Sequence, residues 1–127
     1  METPPILRSP LLRPRLYALP VKQLGQIVEV AGYTITLEVV FARHVPAGVP
    51  WLTTITYTAH ELLEAIHNIA IIPLGYDEAV QWRNTVQATM KNEPFQSERM
   101  AWIDRAIPPT FDEWLKRERD DKIPPGP

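Results

Sequence analysis

The chain contains no cysteine. Disulfides, thiolate nucleophiles and cysteine-bound zinc are therefore excluded, and any fold must rest on packing and hydrogen bonds. A length of 127 residues with four tryptophans and four tyrosines is enough for that. Also lacking is any run approaching the ~18 consecutive apolar residues of a membrane helix. The first twenty residues, METPPILRSPLLRPRLYALP, have no uninterrupted apolar stretch of the kind a secretory signal carries, because proline and arginine cut it repeatedly. The expectation is a soluble, unprocessed protein, cytoplasmic or within a virus or phage particle, and not secreted. Glycine is sparse too. Its five copies, at 25, 32, 48, 75 and 126, are too scattered for a P-loop or a G-x-G-x-x-G phosphate cradle.

Proline is plentiful by contrast, and five of its fourteen copies fall at positions 4, 5, 10, 14 and 20. Each fixes its own φ, removes a backbone donor and disfavours helix at the residue before it. Residues 1–20 are accordingly expected to form neither a regular helix nor a central strand. Ile6, Leu7, Leu11, Leu12, Leu16, Tyr17 and Leu19 make the same stretch apolar. Stiff, apolar and basic, it reads as an extended arm laid over a surface, its own or a neighbour's. A second proline-rich tail occupies 122–127, leaving one domain over 21–121.

Charge is unevenly distributed. Arg8, Arg13, Arg15 and Lys22 stand between Thr3 and Val28 with no acidic residue among them. From Glu29 onward there are nine basic and fourteen acidic residues, a net of −5. A positive arm precedes a negative body, which is a pattern for contact between chains.

The strongest local pattern is QIVEVAGYTITLEVVFAR. Ile35, Leu37, Val39 and Phe41 alternate with Thr34, Thr36, Glu38 and Val40, the period-two signature of a strand with one buried face. Gly32 supplies a tight turn, so this is a β-hairpin. After the loop HVPAGVP, the stretch WLTTITYT puts Trp51, Thr53, Ile55 and Tyr57 on one face of a third strand. Thr58 and Glu61 then form the S/T-x-x-E capping box of a helix that ends before Pro73 and Gly75, with IAIIPLG running on as an extended apolar segment. A second helix is expected over 76–92, capped by Asp77, with Ala79, Trp82, Val86 and Met90 along one face. A third should start near Pro94 and bury Phe95, Trp102, Ile103 and Ala106. Pro108 and Pro109 stop it, and Thr110 with Glu113 caps a short fourth. The fold class is α+β: a small antiparallel sheet, made of the hairpin and a third strand, packed with three to four helices.

Two of the three histidines lie in TAHELLEAIHN, where His60, Glu64 and His67 follow one another at helical spacing. A zinc H-E-x-x-H helix needs its second histidine at the position Glu64 occupies. A four-helix di-metal site needs two Glu-x-x-His motifs facing inward, and there is one, on the polar side. These residues read as the wet face of an amphipathic helix, and no metal or cofactor is expected. Neither Ser9 nor Ser97 sits in a nucleophile elbow. No small-molecule substrate is implied.

What remains is interaction. Restricted proline-rich segments lose less entropy on docking than free chain does. The expectation is a non-enzymatic structural or adaptor protein that docks into a larger protein assembly through its extended termini, a virus or phage particle being one such assembly. Its partners would be protein subunits, copies of itself or others, contacted through Arg8, Arg13, Arg15 and Tyr17. A nucleic-acid-associated accessory role for the basic arm is the alternative, weakened by a calculated pI of about 5.9. An enzyme of unknown chemistry stands third.

Overall fold

A computed structural model describes residues 16–42 and 48–120, the side chains of 118–120 excepted. Five strands, β1 (Leu16–Leu19), β2 (Gln23–Ala31), β3 (Thr34–Phe41), β4 (Leu52–Thr58) and β5 (Ile72–Pro73), form one antiparallel sheet in the order β4-β3-β2-β1-β5. Four helices accompany it: α1 (Ala59–His67), α2 (Tyr76–Thr89), α3 (Gln96–Ala106) and α4 (Phe111–Asp120). The fold is α+β.

The hairpin forms as the alternation requires. Ala31 pairs with Thr34, leaving a two-residue turn in which Gly32 has φ 61, a conformation open to glycine. Ile35, Leu37 and Val39 are buried on one face, with Ile27, Tyr17, Leu19 and Ile71, beneath Ala59 and Leu62 of α1. Gly25 faces the same way. A Cβ there would meet Leu19 Cδ1 at 2.8 Å, so this mid-strand position has no room for a side chain. The opposite face of the sheet buries Leu16, Ala18, Leu24, Val40 and Ala42 against Val86 and Met90 at α2, Trp102 and Ile103 of α3, and Trp114 of α4. The sheet is thus sandwiched: one helix on one side, three on the other.

The leader reaches further into the fold than its prolines suggest. Residues 16–19 form an interior strand between β2 and β5, whereas 1–20 was expected to form no central strand. The physical reason is that Pro14 and Pro20 bracket LYAL without interrupting it, so all four residues keep their ladder donors. Tyr17 is the sharpest correction. Expected as a partner contact, it is 0 % exposed and packed in the α1-side core. Arg8, Arg13 and Arg15, like the proline-rich tail over 122–127, lie outside the described residues.

The helix starts divide. Thr58 caps α1 with both halves of the box: its hydroxyl accepts from Glu61 N at 3.1 Å, and its own N–H donates to Glu61 Oε1 at 2.9 Å. Thr110 likewise accepts from Glu113 N at 3.2 Å. Asp77 does not cap α2. The N-cap is Gly75, whose N–H donates 3.3 Å to Glu78 Oε1, so Asp77 falls inside the first turn. Phe95 is no core residue either: it is the N-cap of α3 and 55 % exposed.

Candidate functional site

The register of the sheet brings Leu19, Gln23 and Phe41 to one end, next to Trp51 at the start of β4. Three hydrogen bonds converge on Phe41 and Ala42 there. Ala42 N donates to Lys22 O at 2.8 Å, Phe41 N donates to Trp51 O at 3.2 Å, and Arg99 Nη1 donates to Phe41 O at 3.1 Å. The β1–β2 turn, the end of β3, the start of β4 and the loop before α3 are tied into a single surface.

This surface is strained. Among the described residues, five that are not glycine have positive φ, and four of them are here: Val21 (63°), Lys22 (53°), Asn92 (68°) and Phe95 (58°). Asparagine tolerates the left-handed region, but for a β-branched or bulky side chain it is an outlier. Each such residue costs about 1–3 kcal/mol and persists only where its surroundings over-determine it.

The device that does so for Phe95 is Arg99, which is 0 % exposed. Its Nε and Nη2 both donate to Pro94 O, at 3.1 and 2.7 Å, while Nη1 reaches Phe41 O. Glu93 Oε2 lies 3.8 Å from Nη2. Burial lowers the guanidinium pKa from its ordinary value and the Glu93 charge opposes that shift. A planar fork with fixed donors can hold two carbonyls at once, which an ammonium cannot. The clamp fixes the Pro94 carbonyl, directly before Phe95, to the end of β3, and the Phe95 side chain stands exposed. The Phe95 ring then stacks on Trp51, with centroids 6.0 Å apart and planes at 25°.

Lys22 and Ala42, joined by the bond above, also border a cleft of about 490 Å³ lined by Gln81, Trp82, Thr85, Val86 and Thr89 of α2. The Lys22 ammonium lies 5.7 Å from the Trp82 ring centroid, over a face that attracts cations. Thr89 Oγ1 donates to Thr85 O, one turn back along α2, at 2.9 Å. A cation, two hydroxyls, an amide and the Trp82 ring line this cleft.

The sequence did not single out Trp51, Trp82, Phe95 or Arg99 for this role. Two clues were available: a tryptophan directly after a proline-rich loop, and the Pro94-Phe95 pair before a helix start. The residues weighed for metal lie elsewhere. His60, Glu61, Glu64 and His67 are exposed on α1, and no group of three or more histidine, aspartate or glutamate side chains converges to hold a metal ion among the described residues. Nor is any helix among the described residues long and apolar enough to cross a membrane. Comparison with known proteins leaves the reading to this geometry: no family model, no curated protein and no solved structure matches the chain.

Proposed function

We propose that the protein is a non-enzymatic structural or adaptor subunit that docks into a larger protein assembly, of which a virus or phage particle is one kind. The observation that carries this reading is the strained end of the sheet, where a buried arginine holds Phe95 in an unfavourable backbone conformation with its ring exposed on Trp51. A fold selected for stability alone gains nothing from that arrangement, since strain of this kind is retained where it has a use. An exposed aromatic ring stacked on a half-buried tryptophan has the composition of a protein-binding hot spot. The charge pattern supports the same reading. Arg8, Arg13 and Arg15 directly precede a strand locked into the sheet, and the rest of the chain is acidic, so a neighbouring acidic subunit is a suitable receiver for the leader.

Deletion of residues 2–15 leaves every described strand intact and removes the three arginines. In extracts of cells that naturally make the protein, the full chain should sediment in a species several times its own mass, and the deletion should release it. Unchanged sedimentation of the deleted chain would count against docking through the leader. Binding to labelled DNA or RNA that steepens at low salt, and vanishes when the three arginines are replaced, would instead favour the nucleic-acid-associated role.

A further inference from the structure

The two edges of the sheet are built differently. β5 is two residues long and one of them is Pro73, a short, proline-bearing edge of the kind that blocks further pairing. β4 is seven residues, LTTITYT, with no proline and no charge. Its pairing to β3 is regular from Thr34↔Thr58 to Val40↔Leu52, with no bulge to twist the edge away. Among the described residues nothing pairs with its outer side.

The backbone direction at that edge follows from the ladder. Ala59 N donates to Tyr33 O, and Phe41 N donates to Trp51 O. Both pairs continue the register of Ile35↔Tyr57, Leu37↔Ile55 and Val39↔Thr53. Hydrogen-bonded and non-hydrogen-bonded pairs alternate along an antiparallel ladder. The odd-numbered residues of β4 therefore turn their N–H and C=O groups to β3, and Leu52, Thr54 and Thr56 turn theirs outward. Thr58, next in the outward series, shows the direction: its N–H is taken by Glu61 Oε1. The capping box of α1 thus closes one end of an edge that offers three donors and three acceptors.

We infer that this edge pairs with the β4 edge of a second copy of the chain, antiparallel about a two-fold axis at Thr54, to make one continuous ten-stranded sheet. The choice of occupant rests on charge and on matching. A two-fold sets each residue near the axis against its own kind, so a charge on the strand would face a like charge, and β4 has none from Leu52 to Thr58. With Thr54 opposite its own copy and Leu52 opposite Thr56, every outward N–H meets an outward C=O. The capped N–H of Thr58 is not needed. Side chains agree with this. Thr54 and Thr56 stand exposed on one face, and Thr56 already bonds Thr36 through hydroxyls 3.0 Å apart, the pairing that threonine ladders repeat across strands.

This contact goes beyond the docking reading above and does not depend on it, because the purified chain alone suffices for the test. The full chain should be a dimer by sedimentation at high micromolar concentration. Thr54→Pro removes one outward donor and leaves the bonds to β3 in place. It should weaken dimerisation by roughly tenfold or more while the folded state persists. Should proline strain the strand, Thr54→Lys provides the second variant: the position is exposed, and two ammonium groups would face each other across the axis. The absence of cysteine allows a register test. Hydrogen-bonded partners lie about 5.5 Å apart at Cα, within disulfide range, so Thr54→Cys should cross-link on oxidation and Thr56→Cys should not. A wild-type monomer, a dimer indifferent to both Thr54→Pro and Thr54→Lys, or equal cross-linking at 54 and 56 would overturn the proposal.

Discussion

Replacing Arg99 with methionine tests the clamp at its centre. Methionine replaces the aliphatic stem of the side chain and removes the buried guanidinium with its donors and charge. The hydrogen bonds lost include two to Pro94 O and one to Phe41 O, together with the cation facing Glu93. Hydrogen bonds from a charged donor contribute about 1.5–3 kcal/mol each, and removing one partner of a buried charged network costs about 3–5 kcal/mol. Part of the Pro94 carbonyl's loss is recovered from water because Pro94 is an exposed residue, whereas the bond to Phe41 is buried. The expected destabilisation is therefore about 3–4 kcal/mol, a large share of the ~5–15 kcal/mol total of a small domain. Urea unfolding followed by tryptophan fluorescence measures it. Arg99→Lys keeps the charge but cannot span both carbonyls, so it should fall between wild type and Arg99→Met. The three-bond HN–Hα coupling of Phe95 supplies a local readout, since φ should leave the left-handed region once the clamp is gone. A loss below about 1 kcal/mol for Arg99→Met, against the 3–5 kcal/mol typical of such a network, or a lysine variant equal to wild type, would refute the reasoning.

Two further perturbations separate strain from capping. Val21→Gly places glycine at φ 63 and gives up little burial, because Val21 is 73 % exposed. Relief of about 1–2 kcal/mol of left-handed strain outweighs the extra chain entropy of glycine, so stability should rise by roughly 0.5–1 kcal/mol in thermal unfolding. A fall would show that the turn is not strained. Thr58→Ala removes the hydroxyl half of the α1 cap and should cost about 1 kcal/mol. The other half carries a pH signature: the Thr58 backbone N–H, and then its hydroxyl, hold the Glu61 carboxyl below its ordinary value near 4.5. A depressed carboxyl contributes stability that is full above the unfolded value and lost as pH falls through the folded one. The gap between wild type and Glu61→Gln should thus be widest above pH 4.5 and close in acid. A gap that widens in acid would have the wrong sign.

Much of the fold was legible where local and tertiary preferences agree. The β2–β3 hairpin, β4 and the start of α1 each carry a periodicity or a capping signature that survives into the structure. β1 was hidden for two reasons. Its prolines flank it rather than interrupt it, and LYAL does not alternate because Leu16 and Ala18 bury on one face while Tyr17 and Leu19 bury on the other. A strand covered on both sides reads as a plain apolar run. Asp77 looked like a cap by residue preference, yet the chain reached its extended N-cap geometry at Gly75 and Glu78 reached back to it. The candidate site was the least legible part. An arginine within a helix ordinarily reads as surface, and the left-handed φ of Phe95 is imposed by carbonyls from Pro94 and from distant Phe41, which no local pattern encodes.

Phe95→Gly tests the central claim most directly. Glycine removes about 1–2 kcal/mol of backbone strain, which partly offsets the loss of the half-exposed ring and of its stacking on Trp51, about 0.5–1.5 kcal/mol beyond burial, so the variant should remain folded. The measurement is the sedimentation of wild type and of this variant in the cells that make the protein. Wild type should travel within a larger species, and the variant, still folded, should be left behind. A variant that stays in that species would contradict the view that the fold holds Phe95 under strain in order to present it to a partner.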